Sequence, residues 1–198
     1  MFSKLRKILR SRRQLVEWHL KGKPSPPPHL YKQKVVKEYQ KRYDLPVLIE
    51  TGTFLGEMVD AVKRKFLEIY SIELSESLAD RATRHFSRYD HIHIVQGDSS
   101  KKLPDILPSV DKPCLFWLDG HYSGGITAQG EVDYPIINEL AHIRNRLKAG
   151  GVILIDDARL FTGKEGVPSI QEIEHGLREI NPGYQIELKN DIIRATIQ

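Results

Sequence analysis

Cysteine is almost missing from this chain: Cys114 stands alone among 198 residues. No internal disulfide can form, which excludes the disulfide-stapled class of small secreted domains and makes a reducing, cytoplasmic location the expectation. Within the run PCLFWLD the thiol reads as a small buried hydrophobe. Long apolar runs are missing too. None approaches the roughly 18 residues of a membrane span. The N-terminus has no uninterrupted apolar stretch of the signal-peptide kind, so no secretory signal is expected. No internal repeat is visible. What remains is an ordinary soluble composition, 40% hydrophobic and 28% charged, in a chain long enough to bury a real core.

The formal net charge of +4 conceals an asymmetry. Residues 1–45 carry 13 Lys/Arg against 3 Asp/Glu, a net of +10, and the remainder carries 17 against 23, a net of −6. The basic character therefore belongs to an arm. Residues 1–20 set Phe2, Leu5, Ile8, Leu9, Leu15 and Trp18 mostly at helical spacing among Lys4, Arg6, Lys7, Arg10, Arg12 and Arg13. Such a basic amphipathic helix suits an anionic membrane surface. It equally suits docking on its own domain or on a second copy in a homodimer, with the basic face solvated. Aromatics are too sparse there for a nucleic-acid stacking platform, so nucleic acid is not the expected partner. KPSPPP at 23–28 cannot continue a helix and reads as a stiff linker, which divides an arm at 1–28 from a domain at 29–198. Helical character returns at 29–43, where Val35, Val36 and Tyr39 form an apolar stripe expected to cover the first strand or the mouth of a site.

From Leu45 strands and helices alternate. The expected strands are 47–51, 68–74, 91–96, 113–119, 152–156, 184–188 and 192–197; the expected helices are 55–66, 76–89, 100–107, 135–147 and 169–180. Pro135 suits a first helical turn, and Gly150-Gly151 a helix stop. Serial βα units predict a parallel sheet with helices on both faces. The last two strands are separated only by Lys189-Asn190-Asp191, too little for a crossover, so they should close the sheet as an antiparallel hairpin.

The stretch VLIETGTFLG at 47–56 organises the rest. It reads as strand, tight turn and helix start. Gly52 can adopt a positive φ or let a ligand approach the backbone, and Gly56 can let the helix start pack closely. Free N–H groups and the positive end of the helix dipole then face the turn. A βα turn with two structural glycines and no ligand would leave the same signature. In doubly wound sheets, ligands sit beyond the carboxyl ends of the strands. Read together, those ends are Glu50-Thr51-Gly52, Glu73-Leu74, Gly97-Asp98-Ser99, Asp119-Gly120-His121 and Asp156-Asp157. Each of the first five strands delivers an acid to one rim. Glu73 follows Gly56 by 17 residues, near the spacing at which an acid accepts from both ribose hydroxyls, though a helix N-terminal acid reads the same. Asp98 with Ser99 could hold an adenine edge or cap the next helix.

The series Glu50-x-Gly52-x-x-x-Gly56, Glu73, Gly97-Asp98 and Asp119 resembles the class I S-adenosylmethionine-dependent methyltransferases, whose seven-stranded sheet also ends in a hairpin. The resemblance runs from about Leu45 to the C-terminus. It implies a Rossmann-like α/β sheet, with Glu50, Thr51, Gly52, Thr53 and Gly56 around the methionine portion. Glu73 and Leu74 would meet the ribose, Gly97, Asp98 and Ser99 the adenine, and Asp119 the sulfonium side. A dinucleotide oxidoreductase would want G-x-G-x-x-G, which the turn TGTFLG lacks.

Asp119 with the pair Asp156-Asp157 further resembles the divalent-metal-dependent O-methyltransferases of the catechol and macrolide-sugar kinds. Three carboxylates on adjacent strand ends repel unless a cation or proton neutralises them. Hard oxygen donors suit Mg²⁺ or Ca²⁺, which would bind a substrate hydroxyl and lower its pKa. Alternatively, Asp156 or Asp157 only caps a loop while Asp119 orders the sulfonium site. Asp119, Asp157 and His121 are the catalytic candidates, His121 as general base, further ligand or structural group. The catechol-type enzymes place a lysine shortly after the fourth-strand acid, and 119–125 has none. The loop HYSGG and residues 159–166 are expected to shape the acceptor pocket. The expected activity is methyl transfer from S-adenosylmethionine to a small-molecule or sugar hydroxyl, with possible peripheral membrane contact through residues 1–20. The rival reading is a nucleoside-cofactor-binding scaffold whose basic arm binds membrane or RNA.

Overall fold

The computed structural model describes residues 2–120, 134–146 and 151–197. Seven strands run in the spatial order β3-β2-β1-β4-β5-β7-β6. They are β1 (Val47–Thr51), β2 (Glu68–Glu73), β3 (Ile92–Gln96), β4 (Cys114–Leu118), β5 (Gly151–Ile155), β6 (Gln185–Lys189) and β7 (Ile192–Thr196). The first five pair in parallel, and β7 lies antiparallel to both β5 and β6. Each expected strand is present. The hairpin loop is one residue tighter than the sequence predicts: Lys189 pairs with Ile192, and Asn190 and Asp191 both take positive φ, 50° and 66°. That is the left-handed pair of a type I′ turn, which matches strand twist.

Strands β1 and β4 are buried throughout, as befits a parallel sheet covered on both faces. Val47, Ile49, Phe116 and Leu118 face α5 (Ser99–Ile106), α6 (Ile136–Arg146) and α7 (Ile170–Ile180), where Leu103, Leu140, Ile143, Ile173 and Leu177 meet them. Leu48, Leu115 and Trp117 face the other way, toward α2 (His29–Arg42), α3 (Glu57–Val62) and α4 (Glu76–Phe86). Helix α3 is much shorter than the expected 55–66. Phe54 and Gly56 both have positive φ, 48° and 72°, so no helix begins before Glu57. At its other end the chain must leave the helix for the Leu67 amide to donate to the Pro46 carbonyl, at 2.8 Å, and start β2.

The basic helix α1 (Phe2–Leu20) buries Leu15 and Trp18. The Trp18 indole lies 4.7 Å from the Tyr31 ring and donates to the Pro24 carbonyl, at 2.7 Å. Helix α2 then lays Val35, Val36 and Tyr39 on the sheet. The Tyr31 hydroxyl accepts from Asn190 and Arg194, fastening α2 to the closing hairpin. Among the described residues no helix is long and apolar enough to cross a membrane.

Candidate active site

Strand order reverses between β1 and β4, so a crevice opens beyond their carboxyl ends. On the β1 side, the Gly52 and Thr53 amides donate to the Ile72 carbonyl at 2.9 and 3.2 Å. Gly52 has φ +90°, and a Cβ there would lie 2.7 Å from the Asp119 carbonyl oxygen. What approaches this glycine is thus the β4 backbone. A Cβ on Gly56 would meet the Phe86 ring at 2.9 Å, so this glycine seats α4.

Glu50 is 1% exposed and accepts from the Ser71 hydroxyl at 2.5 Å, with Thr53 next in the chain of hydroxyls. Burial pushes its carboxyl up to about 8. Glu73 accepts from the Phe54 amide at 2.7 Å and the Ser75 amide at 2.9 Å, bracing the turn from β2. Gln96 donates to the Leu74 carbonyl, and the Gly97 amide to the Glu73 carbonyl. Asp98 caps α5, accepting from the Ser100 amide at 2.9 Å and its hydroxyl at 2.7 Å. Ser99 is buried just behind it.

On the β4–β5 side, the Asp119 amide donates to Thr51 and the Asp156 amide to Leu118, so each acid is fixed by its neighbouring strand. Asp157 has φ 54° and donates its amide to the Asp156 carboxylate at 2.8 Å. Asp119, Asp156 and Asp157 each offer an oxygen within 4.8 Å of the others. Donor chemistry and spacing fit a hard divalent cation.

The charge beside them comes from elsewhere in the chain. Lys32 of α2 pairs with Asp156 and, at 3.1 Å, with Asp157. Its ammonium is held above its ordinary value: burial opposes the charge, but Asp156 and then Asp119 outweigh it. Arg159 donates to Asp157 at 2.7 Å and pairs with Asp191 of the hairpin turn. Burial and then Asp156 hold Asp119 well above the usual carboxylate range. Burial, only partly offset by Lys32, pushes Asp156 up to about 6. For Asp157 burial acts upward too, but Arg159 and Lys32 win and hold it low.

A small cleft beyond β4 and β5 is lined by Asp119, Gly120, Tyr134, Glu139, Asp156 and Phe161. Glu139 of α6 is 1% exposed, and one of its carboxylate oxygens accepts no hydrogen bond from the described residues. Burial pushes it up to about 7, against the pull of the Ser99 and Thr51 hydroxyls. His121 and the loop 122–129 lie outside the described residues.

The structure thus brings Glu50, Glu73, Asp119, Asp156 and Asp157 to one end of the sheet, with Asp98 turned to its own helix. Lys32, Glu139 and Asp191 went unread as site residues. Lys32 and Asp157 are 125 positions apart, a separation no local pattern encodes.

No protein-family profile and no curated protein matches the sequence. Solved structures do. An O-methyltransferase from Bacillus cereus in complex with S-adenosylhomocysteine (SAH) aligns with TM-score 0.62 at 16% identity, covering 95% of this chain and 90% of its own. DesVI of Streptomyces venezuelae aligns at 0.58 and 11% identity, covering 94% and 98%. The SAH-bound methyltransferase PaMTH1 of Podospora anserina aligns at 0.56 and 13% identity, covering 84% and 78%. The chain has the class I methyltransferase fold, seven-stranded and closed by an antiparallel pair.

Proposed function

We propose that this chain transfers a methyl group from S-adenosylmethionine to an oxygen of a small-molecule or sugar acceptor. One observation carries the reading: Asp119, Asp156 and Asp157 form a single cluster beyond β4 and β5, across from the glycine turn at the switch point. The SAH-bound neighbours support the cofactor, and the O-methyltransferase among them supports oxygen as acceptor atom.

In this reading the 52–56 turn and Glu50 surround the methionine portion, Glu73 and Leu74 receive the ribose, and Gly97, Asp98 and Ser99 border the adenine. Glu73 would exchange an amide partner for a ribose hydroxyl, with no change of charge. The sulfonium favours the acid-rich rim. Transfer is an in-line displacement at carbon, so the protein chiefly positions the two reactants and keeps water out. Asp119, Asp156 and Asp157 are the residues to hold Mg²⁺ or Ca²⁺, which would supply an acidified, oriented acceptor hydroxyl. His121 keeps the role of candidate base.

Isothermal titration of the full chain with S-adenosylmethionine and SAH tests the cofactor assignment. Micromolar binding of both is expected; heat from neither would overturn it.

A second reading concerns α1. Leu5, Leu9, Val16 and Leu20 lie along one side of the helix and are exposed, while Leu15 and Trp18 are buried on another. An outward apolar stripe beside Arg6, Arg10 and Arg13 favours peripheral contact with an anionic membrane. Flotation with phosphatidylserine vesicles should carry the full chain, and a chain lacking residues 1–20 should stay behind.

A further inference from the structure

We propose that Lys32 is a tethered cation that competes with a divalent metal for Asp156 and Asp157, so that helix α2 sets the metal affinity of the site. The inference rests on the metal reading of the carboxylate cluster and adds a control that reading does not contain.

The Lys32 ammonium touches one oxygen of each carboxylate, Oδ2 of Asp156 and Oδ1 of Asp157. A divalent cation takes such oxygens at about 2.0–2.6 Å. It would then stand against the ammonium, and two cations at that separation in a poorly hydrated site repel strongly. One must leave. The side chains of Lys32 and Asp156 are 12% and 0% exposed, so bulk water does little to screen the conflict.

The backbone beneath Lys32 is clamped. Tyr31 is held by Asn190 and Arg194, Gln33 donates to the Glu57 carbonyl at 3.1 Å, and Val35 and Val36 are buried. Metal entry therefore displaces a four-carbon side chain while the helix stays docked. Arg159 is set differently. It is shared between Asp157 and Asp191, so its charge is answered even when Asp157 turns to a metal. Lys32 pairs with the cluster's own acids, and displacing it forfeits those pairs.

Mn²⁺ binding to the full chain, read by electron paramagnetic resonance with SAH present, tests this. Lys32→Met should bind one Mn²⁺ at least tenfold more tightly than the unaltered chain. Lys32→Arg, which keeps the charge, should stay weak, and Asp156→Asn added to Lys32→Met should abolish the gain. Equal Mn²⁺ affinity with and without Lys32, whether both strong or both undetectable, overturns the proposal. Should Lys32→Met not fold, Lys32→Gln is judged by the same criterion. SAH titration of the same samples separates the failures: intact SAH binding with unchanged Mn²⁺ affinity removes only the competition, whereas no SAH binding by the unaltered chain removes the methyltransferase reading.

Discussion

The two halves of the sheet rim handle their acids in opposite ways. Beyond β1, β2 and β3, Glu50, Glu73 and Asp98 are answered by hydroxyls and backbone amides close by: Ser71, the Phe54 and Ser75 amides, and Ser100. No cation takes part in these bonds, and Glu73, through the Phe54 amide, braces the glycine turn. Beyond β4 and β5, Asp156 and Asp157 are answered by cations from α2 and from the loop after β5. In the proposed function the first half would receive the neutral, hydroxyl-bearing nucleoside. The second holds concentrated negative charge, and the proposed exchange of Lys32 for a divalent cation would suit it to activate an acceptor.

Damage to the charged half should cost most. Asp156→Ala leaves Lys32 enclosed with one of its two close partners gone, and stripping a partner from a buried pair costs about 3–5 kcal/mol. Urea denaturation should register a loss near the lower bound, since Asp157 remains. A loss below about 1 kcal/mol would mean that Lys32 swings free into water and that the pair is a surface feature. Glu73→Gln, in the other half, should cost about 1–2 kcal/mol, because an amide oxygen still accepts one of the two N–H groups. Its larger effect falls on the ligand. SAH affinity should drop at least tenfold, while Asp157→Asn leaves it within twofold. Equal losses in both would erase the division between a nucleoside half and an acceptor half.

The half answered by hydroxyls and amides was the more legible in sequence, for a physical reason. Each acid there follows its own apolar strand and precedes its own helix, so position along the chain gives position on the rim. The same held for Asp119 and Asp156, because they directly follow β4 and β5. The compensation was not legible. Lys32 is one of several lysines on a helix whose docking site depends on Tyr31 meeting a hairpin more than 150 residues later. Asp191 looked like a turn residue, which it is; its partnership with Arg159 arises only when the hairpin folds back beside β5. Glu139 lies within the expected helix 135–147, and only the rotation of α6 turns it inward. The late start of α3 turned on the left-handed backbone of Phe54, which a phenylalanine rarely announces.

Glu50 gives a subtler way to sharpen the contrast. Its carboxyl rises from an ordinary 4.5 to about 8 in the folded chain, chiefly through burial. Between those values the folded chain keeps a proton that the unfolded chain has released. This contribution to stability is complete below the ordinary value and disappears as pH rises through about 8. Glu139, raised to about 7, acts in the same direction over a narrower window. The melting temperature should therefore fall from pH 5 to pH 8.5, and Glu50→Gln, which copies the protonated form, should flatten the fall. An unchanged slope in the glutamine variant would mean that Glu50 is ionised beside Ser71 and belongs with the charged half.

The smallest effect on the fold should come from the outer side of α1, which serves neither half of the rim. Leu9 and Val16 are each 57% exposed, whereas Trp18, on the side turned to Tyr31, is 4% exposed. Leu9→Glu with Val16→Glu removes apolar area that contributes to no core, so stability should shift by less than about 0.5 kcal/mol. SAH affinity should stay unchanged. Vesicle binding should fall at least tenfold, because the substitutions delete apolar contact and add negative charge facing an anionic surface. Trp18→Ala should do the reverse, keeping the outer stripe while loosening α1 from α2 and costing about 3 kcal/mol. If instead Leu9→Glu with Val16→Glu weakens SAH binding or Lys32→Arg weakens vesicle binding, α1 and the rim act as one device, and the helix that carries Lys32 is the element joining them.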